Sequence, residues 1–241
     1  MTAPANSPQP DQQQPDPQQQ TDDRLAERLA AGDEQALADA FALHAERLQR
    51  AVVFRLDPRL RSRVDAQDVL QEAYLQASSR LGHFAKQRDA DAEAGRPLLG
   101  AFLWLRLIVN QALVDVHRRH LGAQQRDAGR EVNWRRPGQG AGVATSVSLA
   151  DCLLGHLTSP SHAAMREELG DKLRDAVSTM SELDQEVIAL RHFEQLTNGE
   201  VAHTLGIEVK AASIRYVRAI KRLKEVLDTV PGFGGLELLL R

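Results

Sequence analysis

Residues 196–227, LTNGEVAHTLGIEVKAASIRYVRAIKRLKEVL, decide the fold of the C-terminal part of this chain. Thr197 stands three residues before Glu200, the spacing in which each side chain caps the other's backbone N–H, so a helix is expected from about Asn198. Val201, Ala202 and Leu205 give it one apolar face. Gly206 supplies the residue that turns most easily with positive φ, and Ile207 plugs the junction. A second stripe, Ala212, Tyr216, Ala219 or Ile220, Leu223 and Leu227, advances in helical steps of three and four. Two helices joined by a short Gly-containing turn fit a helix-turn-helix, with the small Ala202 where the helices cross. Between Val209 and Lys224 the second helix carries Lys210, Arg215, Arg218, Lys221, Arg222 and Lys224 and no acid, six positive charges in sixteen residues. A solvated basic face is the plain alternative. The turn, the cap and the one-sided charge together favour duplex DNA, whose phosphates balance such a helix in the major groove.

Working outward, the 241 residues are 42% hydrophobic, 26% charged and 4% aromatic, which suits a soluble helical protein. The net charge of −3 hides segregation: residues 1–23 hold Asp11, Asp16, Asp22 and Asp23 but no Lys or Arg. The single cysteine, Cys152, excludes an internal disulfide and a Cys-based zinc site. No signal peptide is expected, and no apolar run approaches the roughly 20 residues of a membrane span, so a cytoplasmic location is expected. Metal-ligand spacing, a Gly-rich phosphate loop and a nucleophile–base pair are all missing from the sequence. Neither an enzyme nor a bound cofactor is expected.

The expected fold class is all-α: two small helical domains joined by a long flexible linker, the second carrying the helix-turn-helix. Residues 1–23, rich in Pro and Gln, are expected to be disordered. Residues 24–121 form the first domain, with a helix over Asp65–Leu81, a long loop over 82–100 and a helix from Ala101 to Leu121. Residues 122–165 lose periodicity and hold several Gly, Pro, Ser and Thr, which reads as a linker. Residues 166–230 form the second domain, in which Ser181 opens a helix with another capping box. Residues 231–241 are a tail.

Two further helices carry candidate sites. In 101–121, Leu105, Ile108, Val109, Ala112 and Val116 make the core stripe, while Asn110, Arg118 and Arg119 lie off it. Arg126, Arg130, Arg135 and Arg136 continue the positive charge. Phe102 and Trp104 open this helix beside the loop carrying His83 and Phe84. Arginines with neighbouring aromatics suit single-stranded nucleic acid, and core packing of the same rings is the alternative. In 65–81, Asp65, Asp68 and Glu72 recur at helical spacing with Gln71 beside them. An acidic face gains nothing from DNA and suits a protein partner. For Asp65 and Asp68, interaction with the helix dipole is the plain alternative.

These three segments in this order resemble the sigma-70 family of bacterial transcription initiation factors, and most closely the small extracytoplasmic-function (ECF) group. DAQDVLQEAYLQA (65–77) is similar to the family's core-polymerase-binding helix, FLWLRLIVNQALVDVHRR (102–119) to its helix for the downstream promoter element, and LRHFEQLTNGEVAHTLGIEVKAASIRYVRAIKRL (190–223) to its upstream helix-turn-helix. The stretch 93–127 is also similar to planctomycete-type members. The resemblance implies that Asp65, Asp68, Gln71 and Glu72 meet core RNA polymerase. It implies that Phe84, Trp104, Asn110, Arg118 and Arg119 meet the downstream element, with the 82–100 loop receiving a flipped base. Lys210, Ser213, Arg215, Arg218 and Lys221 would meet the upstream one. The implied partners are core RNA polymerase and promoter DNA, with an anti-sigma factor as a candidate third and no membrane. Glu208 stands where the family usually has Ser, which weakens the cap of the recognition helix. A stand-alone helix-turn-helix regulator explains 190–227 but leaves the other two helices without a role. A helical partner-binding protein that has lost DNA binding is a second alternative.

Overall fold

The computed structural model describes residues 17–95, 97–125, 142–155 and 163–230, and all regular structure in them is helical. Helix α1 (Pro17–Ala30) turns at Gly32, φ 81°, into α2 (Glu34–Arg55), whose first turn is capped by Asp33 accepting from the amides of Gln35 and Ala36. Pro58 lies just beyond α2 and opens a single 3₁₀ turn. Helices α3 (Ala66–Ser78), α4 (Leu81–Glu93) and α5 (Ala101–Gln125) follow. Leu25, Leu29, Leu37, Leu48, Val52, Val69, Phe102, Leu105 and Val109 fill the space between them.

Two expectations are corrected in this half. Helix α1 begins within the segment expected to be disordered, and Asp22 is buried. Its Oδ1 accepts from the Phe102 amide at 2.8 Å and bonds His44 Nε2 at 2.7 Å, so a residue of the supposed tail caps α5. Residues 1–16 lie outside the described residues. Helix α4 replaces most of the expected loop. Its Ala-rich run is made of good helix formers, and Leu81 and Phe84 are buried, but its amphipathic pattern is faint.

The C-terminal half holds α6 (Gly142–Gly155), α7 (Ala163–Ser178), α8 (Glu182–Ile188) continuing as one π-turn (Ala189–Phe193), α9 (Asn198–Leu205) and α10 (Val209–Leu227). Helix α6 lies inside the stretch expected as linker. Leu149, Ala150 and Leu153 pack with Leu173, Val177, Ile188, Leu223 and Leu227. Its small hydroxyl residues Thr145, Ser146 and Ser148 are buried as well, so it lacks the polar face that reveals a surface helix. The arginines at 126, 130, 135 and 136 and the tail 231–241 lie outside the described residues.

The halves share their cores. Phe54 of α2 packs among the C-terminal helices, stacked on Phe193 at 4.8 Å between ring centroids. Val187, Leu190, Leu196, Val201, Ala202 and Ala212 join the N-terminal core.

Candidate nucleic-acid and polymerase interfaces

The helix-turn-helix is built by local chemistry. Thr197 Oγ1 accepts from the Glu200 amide at 3.2 Å while Glu200 Oε2 accepts from the Thr197 amide at 2.7 Å, which closes the capping box of α9. Gly206 sits at φ 65°, and the Ile207 amide donates to Ala202 O at 3.0 Å, so α9 ends in a left-handed turn. Glu208 caps α10 by position but makes no side-chain cap bond, as its departure from Ser implies. Ala212, Ala219, Leu223 and Leu227 are the buried face of α10. Lys210, Arg218 and Lys221 are exposed and Ser213 is half-buried. Arg215 and Arg222 both reach Asp184, at 3.3 and 2.9 Å, so two of the six cations brace α10 against α8.

The acidic face of α3 divides in two. Asp65 and Asp68 form a reciprocal capping box at the start of the helix. Gln71 is exposed. Glu72 pairs with Arg119 and accepts from Gln76 Nε2 at 3.3 Å. A candidate polymerase contact and a candidate DNA contact are thus partners of each other.

The aromatic candidates are brought together, but inward. Phe84 and Trp104 are 1% and 7% exposed, with centroids 4.6 Å apart, so in this structure neither ring offers a free face for a base. They form the floor of a cleft of about 1250 Å³ that also has Leu107, Asn110 and Gln111 of α5 and Gly206, Glu208 and Val209 of the helix-turn-helix in its walls. Asn110 Oδ1 is buried there with no hydrogen-bond partner among the described residues. Arg118 is exposed nearer the end of α5. His117, beside it, accepts the Asp57 amide at 3.2 Å, and burial lowers its pKa.

Sequence reasoning passed over a buried charge cluster. Arg55 Nη2 meets Glu186 Oε1 at 2.6 Å, Arg55 Nε meets Glu194 Oε1 at 2.6 Å, and Arg106 Nε meets Glu194 Oε2 at 2.6 Å. Thr145 Oγ1 donates to Glu186 Oε2 at 2.9 Å. Burial pushes the Glu194 carboxyl up, but Arg106 and Arg55 outweigh it and hold the group below its usual range. One signal was present: Arg55 and Arg106 interrupt the apolar runs AVVFRL (51–56) and FLWLRLIV (102–109). A cation inside a core stripe demands a buried counter-charge.

Residues 170–223 match the family model described as sigma-70, region 4. The match takes in α8, the π-turn and α9 whole, with most of α7 and α10. The RNA polymerase sigma-H factor of Pseudomonas aeruginosa is 26% identical over 213 residues, spanning 87% of this chain and 95% of that protein. A solved structure of CnrH in complex with the cytosolic domain of CnrY aligns with 86% of this chain and 97% of that one, at 22% identity and a TM-score of 0.44. Within the matched segment, α9 and α10 form the helix-turn-helix, and the Asp184 brace and the buried Glu186 and Glu194 belong to the same stretch.

Proposed function

We propose that this protein is a sigma factor of the sigma-70 family, ECF group, which binds core RNA polymerase and directs promoter recognition, DNA opening and transcription initiation. The observation that carries the reading is the region 4 helix-turn-helix with its basic α10, joined to similarity with a sigma factor along almost the whole chain. The protein acts by binding and has no catalytic step of its own, and its place is the cytoplasm. No helix among the described residues is long and apolar enough to cross a membrane.

In this reading Lys210, Ser213, Arg218 and Lys221 contact the upstream element, with Arg215 released from Asp184 to join them. Asn110, Arg118 and Arg119 face the downstream element. Phe84 and Trp104 support that surface from beneath. Gln71 and Glu72, with the capping pair Asp65 and Asp68, present α3 to the polymerase clamp. The first unit spans 24–121, the segment 122–165 connects, and 166–230 reads the upstream DNA. An anti-sigma factor is the further partner that the family resemblance implies. The test is reconstituted transcription with core polymerase over a genomic promoter pool. Promoter-specific transcripts that require the protein are expected, and tight promoter binding without polymerase, with no such transcripts, refutes the reading in favour of a stand-alone regulator.

A further inference from the structure

We propose that Ile214 and Val217, an apolar pair on the outer face of α10, read the C5-methyl groups of two thymines on neighbouring base pairs of the upstream element. The inference rests on the DNA-binding part of the function proposed above and names the base chemistry that the same helix selects.

Helical geometry places the pair. Ala212, Ala219, Leu223 and Leu227 are the buried face of α10. With about 3.6 residues per turn, Lys210, Ile214, Val217 and Lys221 fall on the opposite side of the helix. Both lysines are exposed. Ile214 and Val217 are 44% and 66% exposed, and Val217 is the most open large apolar side chain among the described residues. A single apolar residue at the surface needs no explanation. Two of them one turn apart, bracketed by Lys210 and Lys221 with Arg218 alongside, form a strip of defined chemistry. The cations suit phosphates on either side, and the strip between them suits an apolar group.

Polar side chains near the strip are turned away or held. Ser213 is half-buried, and Arg215 and Arg222 reach Asp184 at 3.3 and 2.9 Å. Between Lys210 and Lys221 the strip therefore offers neither a donor nor an acceptor. In the major groove thymine alone among the four bases shows a methyl group, and apolar side chains are its partners. A guanine or adenine edge set against the strip exchanges hydrogen bonds to water for none, so the strip also selects by exclusion. Ile214 and Val217 are the sixth and ninth residues of α10, in the N-terminal half that reaches base edges in a recognition helix. Three residues of helix rise about 4.5 Å. Successive base pairs are about 3.4 Å apart, so the two side chains meet neighbouring steps.

The test compares thymine with deoxyuridine, which lacks only that methyl group. Upstream elements are selected from a random duplex pool by the protein bound to core polymerase, and each thymine is then replaced singly. Burying one methyl-sized group corresponds to about fourfold in affinity. Deoxyuridine is thus expected to weaken binding about fourfold at two neighbouring positions and nowhere else in the element. Val217→Ala and Ile214→Ala are each expected to lose the difference between thymine and deoxyuridine at one of those positions and keep it at the other. Ala is the better helix former, so α10 stays folded in both variants, which circular dichroism checks. Arg218→Ala is expected to weaken both duplexes equally. Selected elements without thymine overturn the proposal, as does a wild type indifferent to deoxyuridine or a difference that survives in both Ala variants. If no polymerase-dependent transcription is found, the same replacements are made in duplexes that the full chain selects alone. A failed sigma-factor reading and a failed methyl contact are thereby told apart, and a chain that selects no duplex in either setting overturns both.

Discussion

Replacing Glu194 with Gln tests the charge cluster with almost no change of shape. The carboxylate accepts two hydrogen bonds at 2.6 Å, from Arg55 and Arg106, and has no exposure to water. Gln can still accept from one guanidinium, but its amide nitrogen then points donor-to-donor at the other. A hydrogen bond to a charged group is worth about 1.5–3 kcal/mol, and removing one partner of a buried pair costs about 3–5 kcal/mol. With one bond retained, a loss of about 3 kcal/mol is expected. For a chain of this size each kcal/mol moves Tm by about 2–4 °C, so a drop of roughly 6–12 °C is expected by scanning calorimetry at neutral pH. The pH dependence has a definite sign. The Glu194 carboxyl is held below its ordinary value of 4.5, so its contribution is fully present above that pH and is lost as pH falls through the depressed value. The gap between wild type and Glu194→Gln is therefore expected to narrow on acidification below about pH 4.5. A Tm change under about 2 °C, or a gap that widens in acid, refutes the reasoning.

Glu72→Lys removes the Arg119 partner and reverses the exposed face of α3. It is expected to weaken core-polymerase binding in a pull-down titration while leaving helicity intact, and unchanged affinity removes α3 from the docking surface. Arg218→Ala is expected to cost the holoenzyme about 1–3 kcal/mol at its promoter if the side chain reads a base edge, or to lower the salt slope by about one if it touches phosphate. Equal binding at every salt concentration rules out this face of α10. Phe84→Ala empties the space beside Trp104 and is expected to destabilise the protein by about 3–5 kcal/mol in a urea titration. A near-neutral result with lost permanganate reactivity of promoter thymines would instead return Phe84 to direct contact with opened DNA.

What could be read from the chain itself is what neighbours in sequence decide. The capping box of Thr197 and Glu200, the turn at Gly206 and the stripe from Ala212 to Leu227 act over three or four residues, and each is where it was expected. The same holds for α3 and for the core stripe of α5. Helices α4 and α6 escaped because their periodicity is weak: one is held by Ala-rich propensity and a few buried groups, the other is apolar or small all round. The candidate site was legible as a set of residues and much less as a set of surfaces. The 82–100 segment leads into the helix that Trp104 opens, which sets Phe84 and Trp104 near each other but does not say that they stack inward, and charge spacing does not say that Glu72 holds Arg119. The buried cluster is the limiting case. Arg55 and Arg106 within apolar runs announce that counter-charges are needed. That these are Glu186 and Glu194, 131 and 88 residues away, was decided by how α8 and its π-turn pack on α2 and α5. Caps and periodicity act within a turn of helix, whereas the partner of a buried charge is set by whichever distant element the packed core brings within hydrogen-bond reach.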